Sequence, residues 1–294
     1  MTRLTAKDFD PEVLQLFDGY VHGRLSRREF LAAASRHAVG GLTAAGLLAQ
    51  LSPSFAAPLV TPSDRRLKTS YEQFPSPQGY GTLRGYMAVP ANAKGKLPAI
   101  LVVHENRGLN PHIEDVTRRL ALEGFIAFAP DALHPLGGYP GDEDKARALF
   151  QTLDQAKSRA DFVAAAGALK GLARATGKVG VVGFCYGGAI ANHLATVIPD
   201  LAAAVPFYGS QPSAADVANI RAPLMIHDAG KDERILAGWP AYEAALKANK
   251  VAYQHFLYEG AEHGFNNDTT PRYDEAAAKL AWGRTVGFFK TKLA

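Results

Sequence analysis

The residue best suited to nucleophilic chemistry is Cys185, the single cysteine in 294 residues. It stands in Gly183-Phe184-Cys185-Tyr186-Gly187-Gly188, after the apolar run Val179-Gly180-Val181-Val182 and before a helix-like segment from Ala189 to Val197. A lone cysteine is most often an inert core filler. Here the surroundings argue otherwise: a strand, a sharp turn and a helix, with a thiol at the tip and glycines two residues to either side. Such a turn is strained and leaves no room for a Cβ where strand and helix cross. The helix start supplies backbone N–H groups and partial positive charge, which favour a thiolate and an oxyanion.

A thiol of this kind needs a base and a group to orient the base, and both occur downstream. The apolar segment Pro223-Leu224-Met225-Ile226-His227 runs into Asp228-Ala229-Gly230-Lys231-Asp232, and Ala252 to Tyr258 runs into Glu259-Gly260-Ala261-Glu262-His263-Gly264-Phe265. Nucleophile, acid and histidine follow in the order Cys185, Asp232, His263, which is the order of α/β-hydrolases and of no other common triad architecture. Each lies just past a strand, so the three are expected to meet at the C-terminal edge of one parallel sheet. Asp228, at the strand end itself, is the rival acid, but turn hydrogen bonds occupy such a position, and Asp232 beyond the Gly-Lys turn fits better. A further strand ends in His104-Glu105-Asn106-Arg107-Gly108, where the second oxyanion-hole N–H is expected, with Glu105 projecting beside the thiol.

The elements that must carry these loops alternate from end to end. Strands are expected at 67–74, 82–89, 99–104, 125–129, 178–183, 202–207, 223–228 and 252–258, and helices at 113–123, 142–153, 157–175, 188–198, 239–249 and 272–292. The first two strands alternate with polar residues and suit an antiparallel edge. The later ones are short continuous apolar runs, as in a parallel sheet covered on both faces. The fold class is therefore α/β: an α/β-hydrolase fold with a mostly parallel twisted sheet of about eight strands, helices on both faces and no large cap domain.

The chain is 47% hydrophobic and 20% charged, with a formal net charge of +4. That is ample for a core, and no basic stripe interleaved with aromatics suggests nucleic acid. No Cys/His spacing suggests a metal, and no phosphate loop suggests a nucleotide; neither metal nor cofactor is expected. The N-terminal region carries a different signal. Ser26-Arg27-Arg28-Glu29-Phe30-Leu31 resembles the twin-arginine export motif, a weakly apolar stretch follows to Leu51, and small residues at Ser54 and Ala56 set a cleavage point before Ala57, with Ala57 the neighbouring alternative. The expectation is an N-terminal segment 1–56 left out of the fold, partnered by the twin-arginine translocation machinery. A domain at 57–294 then works in the periplasm or is otherwise exported, without a stable membrane span. A short helix is expected within the first 25 residues, with no assigned purpose.

Together, Gly183-Phe184-Cys185-Tyr186-Gly187-Gly188, the Asp232 turn, Glu262-His263-Gly264-Phe265 and His104-Glu105-Asn106-Arg107-Gly108 resemble the dienelactone hydrolase (carboxymethylenebutenolidase) family over residues 60–294, in its exported, twin-arginine-signal subgroup. The resemblance implies that Cys185 attacks a lactone or ester carbonyl, that His263 carries the proton, and that Asp232 orients His263. It also implies that the N–H groups of Tyr186 and Asn106 hold the oxyanion, and that Glu105 contacts the resting thiol and modulates it. Asn267 stands where the family's dienelactone hydrolases place a carboxylate-binding arginine, which leaves the substrate open among small esters, lactones and thioesters. Candidate substrate-binding residues are His104, Arg107, Tyr186 and Trp239, with Arg147 a further candidate for the missing charge. Two other functions are weighed: thioester cleavage or acyl transfer on the same triad, and a catalytically silent binding protein on a hydrolase scaffold.

Overall fold

The computed structural model describes residues 4–38, 42–55 and 57–294, so Ala56, the residue before the expected cleavage point, lies outside the described residues. Eight strands form one sheet: β1 Leu67–Ser76, β2 Gly81–Pro90, β3 Leu97–Val103, β4 Ile126–Pro130, β5 Ala175–Phe184, β6 Ala203–Phe207, β7 Leu224–Ala229 and β8 Tyr253–Tyr258. Their order is β1-β2-β4-β3-β5-β6-β7-β8. The β1/β2 and β2/β4 pairs are antiparallel, and every later pair is parallel. The two polar-alternating strands thus take the edge where one face meets water, as their pattern predicts.

The helices are α1 Pro11–Val21, α2 Arg27–Ala34, α3 Ala44–Leu51, α4 Pro111–Leu122, α5 Glu143–Gln151, α6 Gln155–Gly171, α7 Tyr186–Val197, the single turns α8 Ala214–Val217 and α9 Glu233–Leu236, α10 Trp239–Ala248 and α11 Glu275–Lys292. Alternate residues of each strand feed two cores. Ala99, Leu101 and Val103 of β3 join α5, α6, α7 and α10 on one face, while Ile100 and Val102 join α4 and α11 on the other. This period of two puts every second side chain on the same face of the sheet. The central strands end at one edge, and their loops carry the residues singled out above.

The N-terminal region is where structure and expectation part. The described part of 4–55 is folded: α1, α2 and α3 build a small core of their own from Val13, Leu14, Phe17, Tyr20, Phe30, Leu47, Leu48 and Leu51. Ser26 caps α2 through a capping box with Glu29, and Phe30 is fully buried. The unit sits on the catalytic edge of the sheet, tied down by Asn106 Nδ2 donating to Val21 O (2.9 Å), by Arg147 donating to Tyr20 O (2.7 Å), and by Tyr20 and Arg27 converging on Asp144. Side chains as large as Phe17 and Phe30 each stabilise by roughly 1.5–3 kcal/mol when fully buried. The same apolar residues that read as a leader can therefore close a packed cap. No described helix is long and apolar enough to cross a membrane.

Candidate active site

Cys185 lies between β5 and α7, as the N-cap of α7, with φ 55° and ψ −110°, a positive-φ backbone that a side-chain-bearing residue adopts only when its surroundings force it. The forcing is steric. A Cβ on Gly183 would lie 1.9 Å from Gly187 O, and one on Gly187 would lie 2.2 Å from Val103 O. The backbone N–H of Cys185 is spent on Phe207 O (3.1 Å). That of Tyr186, first residue of α7, has no acceptor within the helix and lies beside the thiol.

His263 follows β8 and Asp232 follows β7. Their parallel pairing brings the two loops together, and His263 Nδ1 is hydrogen-bonded to the Asp232 carboxylate. Asp228 is taken by His255 (3.0 Å) and does not reach His263. His263 Nε2 is buried and has no hydrogen-bond partner among the described residues, which leaves it available to a proton in transit. The electrostatics follow from this packing. Burial pushes the Cys185 thiol up, but the charge on the facing His263 and the hydrogen bond from His22 outweigh it and hold the thiol at about 6. Burial pulls His263 down, but the thiolate and Asp232 outweigh it and raise it to about 10. The pair is poised as thiolate and imidazolium.

A residue absent from every sequence expectation completes the arrangement. His22, the residue after α1, places Nε2 3.6 Å from Cys185 Sγ, and its ring meets that of His263 edge-on at 4.7 Å. Its Nδ1 faces the Asp18 backbone oxygen (2.8 Å) and carboxylate (3.1 Å). The available signal was an Asp and a His four residues apart on an amphipathic helix, hence on one face; reading the segment as a leader hid it. Donor atoms of His22, Cys185 and His263 lie within 4.8 Å of one another. With both imidazoles paired to aspartates and the thiol on a strained elbow, this trio reads as proton-transfer chemistry.

The other expected residues divide. Asn106 and Tyr186 line the cleft at the thiol together with His22, Ala189, Tyr208, Ser210 and Arg234, around a space of about 240 Å³. Glu105 accepts from Asn267 Nδ2 (2.9 Å), so Asn267 holds the loop glutamate. Among the described residues, the hydrogen bond recorded at Sγ comes from His22 and not from Glu105. His104 is fully buried; its Nε2 accepts from the Ala132 N–H (3.1 Å) while Nδ1 faces Glu105 O, so it serves buried backbone and not substrate. Burial holds it neutral. Arg107 is buried beside Glu143 and donates to Asn106. Arg147 lies over the Tyr20 ring at 4.1 Å. Trp239, half-buried, stacks on His255 against the core, and the Tyr186 ring packs against Phe150 with its hydroxyl on Ser158 (2.9 Å). His104, Arg107 and Trp239 thus do not line the cleft at the thiol, and each has a structural partner instead. The cationic side chain at the cleft is Arg234, from α9, which the sequence reading passed over.

A mostly parallel eight-stranded sheet, a strained strand-to-helix elbow and an acid–histidine pair on the following strand loops define an α/β-hydrolase. Residues 83–293 match the family model described as the Dienelactone hydrolase family, and the chain belongs to that family. Residues 1–39, which hold α1 and α2, match a second model described as YqhI-like. A putative carboxymethylenebutenolidase of Escherichia coli K12 is 32% identical over 262 residues, covering 83% of this chain and 94% of that protein. A putative hydrolase fragment, YghX, of the same organism is 52% identical over 114 residues, 38% of this chain and 97% of the fragment. The crystal structure of a putative dienelactone hydrolase from Klebsiella pneumoniae superposes with a TM-score of 0.66 at 28% identity, covering 76% of this chain and 99% of that one. The protein is a hydrolase of carboxylic ester or lactone bonds.

Proposed function

We propose that the chain hydrolyses a small ester or lactone through an acyl-enzyme on Cys185, with His263 as general base and acid and Asp232 as its orienter. The observation that carries this is the hydrogen bond of His263 Nδ1 to Asp232 beside a thiol held at φ 55°. In acylation the Cys185 thiolate forms the S–C bond, and the N–H groups of Tyr186 and Asn106 receive the developing oxyanion. The C–O bond then breaks and the departing oxygen takes a proton from the His263 imidazolium. In deacylation water attacks the thioester, gives its proton to His263, and the S–C bond breaks to release the acid and return the thiolate. The cleft of about 240 Å³ suits a small acyl group. Arg234 at its rim supports a substrate with an anionic or acceptor group, in the absence of an arginine at 267. Glu105, anchored by Asn267, is assigned to the loop that presents Asn106, and its action on the thiol is indirect.

The test is turnover of p-nitrophenyl acetate and of a simple unsaturated lactone by wild type beside Cys185→Ala. Loss in the variant supports the acyl-enzyme, and equal activity overturns it and brings the binding-protein function forward. Added alcohol that diverts the acyl product would favour acyl transfer.

Export by the twin-arginine route is a separate proposal, supported by the order of Arg27-Arg28, apolar run and small-residue exit. Processing before Ala57 would strip α1–α3 and His22 from the site. Fractionation, with the mass of the N-terminus in each fraction, tests it: a cytoplasmic chain beginning at Met1 would refute it.

A further inference from the structure

The N-terminal helices place a second acid–histidine pair on the same thiol. Asp18–His22–Cys185 repeats the connectivity of Asp232–His263–Cys185: in each, one ring nitrogen faces an aspartate and the other lies toward Sγ. We propose that His22, presented by α1 and held by Asp18, is a fourth catalytic side chain, a second proton carrier for Cys185 in the full-length chain. The inference rests on Cys185 being the nucleophile.

Several local features build this position. Asp10 caps α1 through Glu12 N (2.8 Å), and Pro11 sits at its first turn, so the helix runs in phase to Asp18 and His22 on one face. The chain then turns at Gly23, φ 77°, which ends the helix and leaves His22 at its negative C-terminal pole, where an imidazolium is favoured. Asn106 fixes the preceding carbonyl of Val21, so the oxyanion loop and the second histidine are set by one contact. The charged and titratable groups facing His22 are Asp18 on its own helix, Cys185 at the elbow, His263 after β8 and Arg234 on α9, whose Nη2 lies 3.3 Å from His22 Nε2. Asp18 in turn is braced by Arg24 (2.6 Å) and Arg272 (3.7 Å). His22 forms one wall of the cleft and leaves its space of about 240 Å³ open beside Sγ, so it accompanies a substrate there and does not fill the substrate's place.

The proton balance is simple. Cys185 rests as the thiolate with its proton on His263 or on His22 Nε2, where Asp18 stabilises the imidazolium; the thiolate attacks, the S–C bond forms and the C–O bond breaks. The departing oxygen takes one proton from whichever imidazolium faces it. The water that cleaves the thioester returns one proton to the imidazole left neutral. With two carriers, the single proton can leave from one imidazole in acylation and return to the other in deacylation.

The experiment uses the full chain with His22→Gln and His22→Ala, each checked for an unchanged melting temperature, beside His37→Gln as a control that alters the cap away from the thiol. Expected for His22→Gln are a fall in kcat of about tenfold with KM little changed, and an upward move of the pH midpoint for Cys185 alkylation by about one unit. Added imidazole should restore part of the activity of His22→Ala, an effect that a packing role cannot produce. Wild-type kcat and alkylation profile in both variants would overturn the proposal, and so would a raised kcat, which would make His22 a plug. Loss of activity in Cys185→Ala separates the outcomes: if that variant is inactive while the His22 variants are normal, the second carrier alone is refuted.

Discussion

His263→Gln tests the electrostatic argument at its centre. The thiol sits at about 6 because the two facing imidazoles outweigh burial, and the His263 charge is the first of their lowering contributions. At pH 7 a thiol titrating near 6 is about 90% thiolate, whereas one returned to the ordinary value near 8.5 is about 3% thiolate. The difference corresponds to about 3 kcal/mol of preference for the charged form. Alkylation by iodoacetamide, followed by intact mass between pH 5 and 10, should show a single midpoint near 6 in wild type. In the variant the midpoint should move to 8.5 or above, with a rate at pH 7 about 30-fold lower that recovers by pH 10. His22 limits the shift if it carries part of the load, so the double variant His22→Gln/His263→Gln should move further than either single one. A midpoint unchanged in His263→Gln would refute the reasoning, because the imidazole would then not be the source of the depressed thiol.

Gly183→Ala should destabilise by more than about 3 kcal/mol in urea unfolding, or prevent soluble expression, because its Cβ would lie 1.9 Å from Gly187 O. Arg234→Gln should raise KM roughly tenfold for a lactone bearing a carboxylate and leave an uncharged acetate ester almost unaffected; equal effects on both would remove the charge from substrate recognition. Asp268, paired with His112 (3.1 Å) and Arg119 (2.6 Å), is pushed up by burial but held down at about 2 by these partners. A carboxylate depressed in the folded state contributes stability above its unfolded value near 3.9 and loses it as pH falls through about 2. Asp268→Asn should therefore cost about 1 kcal/mol at pH 7 after allowance for solvent screening, with the deficit shrinking from pH 4 downward; a deficit constant down to pH 2 would show that packing is the cause.

The strands carried their own positions because each is a short apolar run bounded by turn residues, and the eight expected strands all appear close to the expected bounds. The pairing of Asp232 with His263 was legible for the same reason, since both follow parallel strands that end at one edge. His104, Arg107 and Trp239, expected at the substrate, lie away from the cleft at the thiol. Sequence proximity to a site does not say which way a side chain turns: burial with local partners took His104 and Arg107 inward, and half-buried Trp239 stacks on His255. Arg234 was missed because its single turn α9 has no periodic signal.

What was local in the chain was readable from it: the glycine frame around Cys185, the order of thiol, acid and histidine, and the alternation that makes an α/β sheet. These depend on neighbours within a few residues and on strand period. The partner of the thiol from outside the triad was not local. His22 stands 163 residues before Cys185, in a segment whose arginine pair and apolar run suit a leader as well as a cap, because both need exposed charge at one end and an apolar face. Only packing shows where the segment lies in the full chain. Phe30 buries in the N-terminal core, Asn106 takes the carbonyl of Val21, and the turn at Gly23 then leaves one position for the imidazole, against the sulfur.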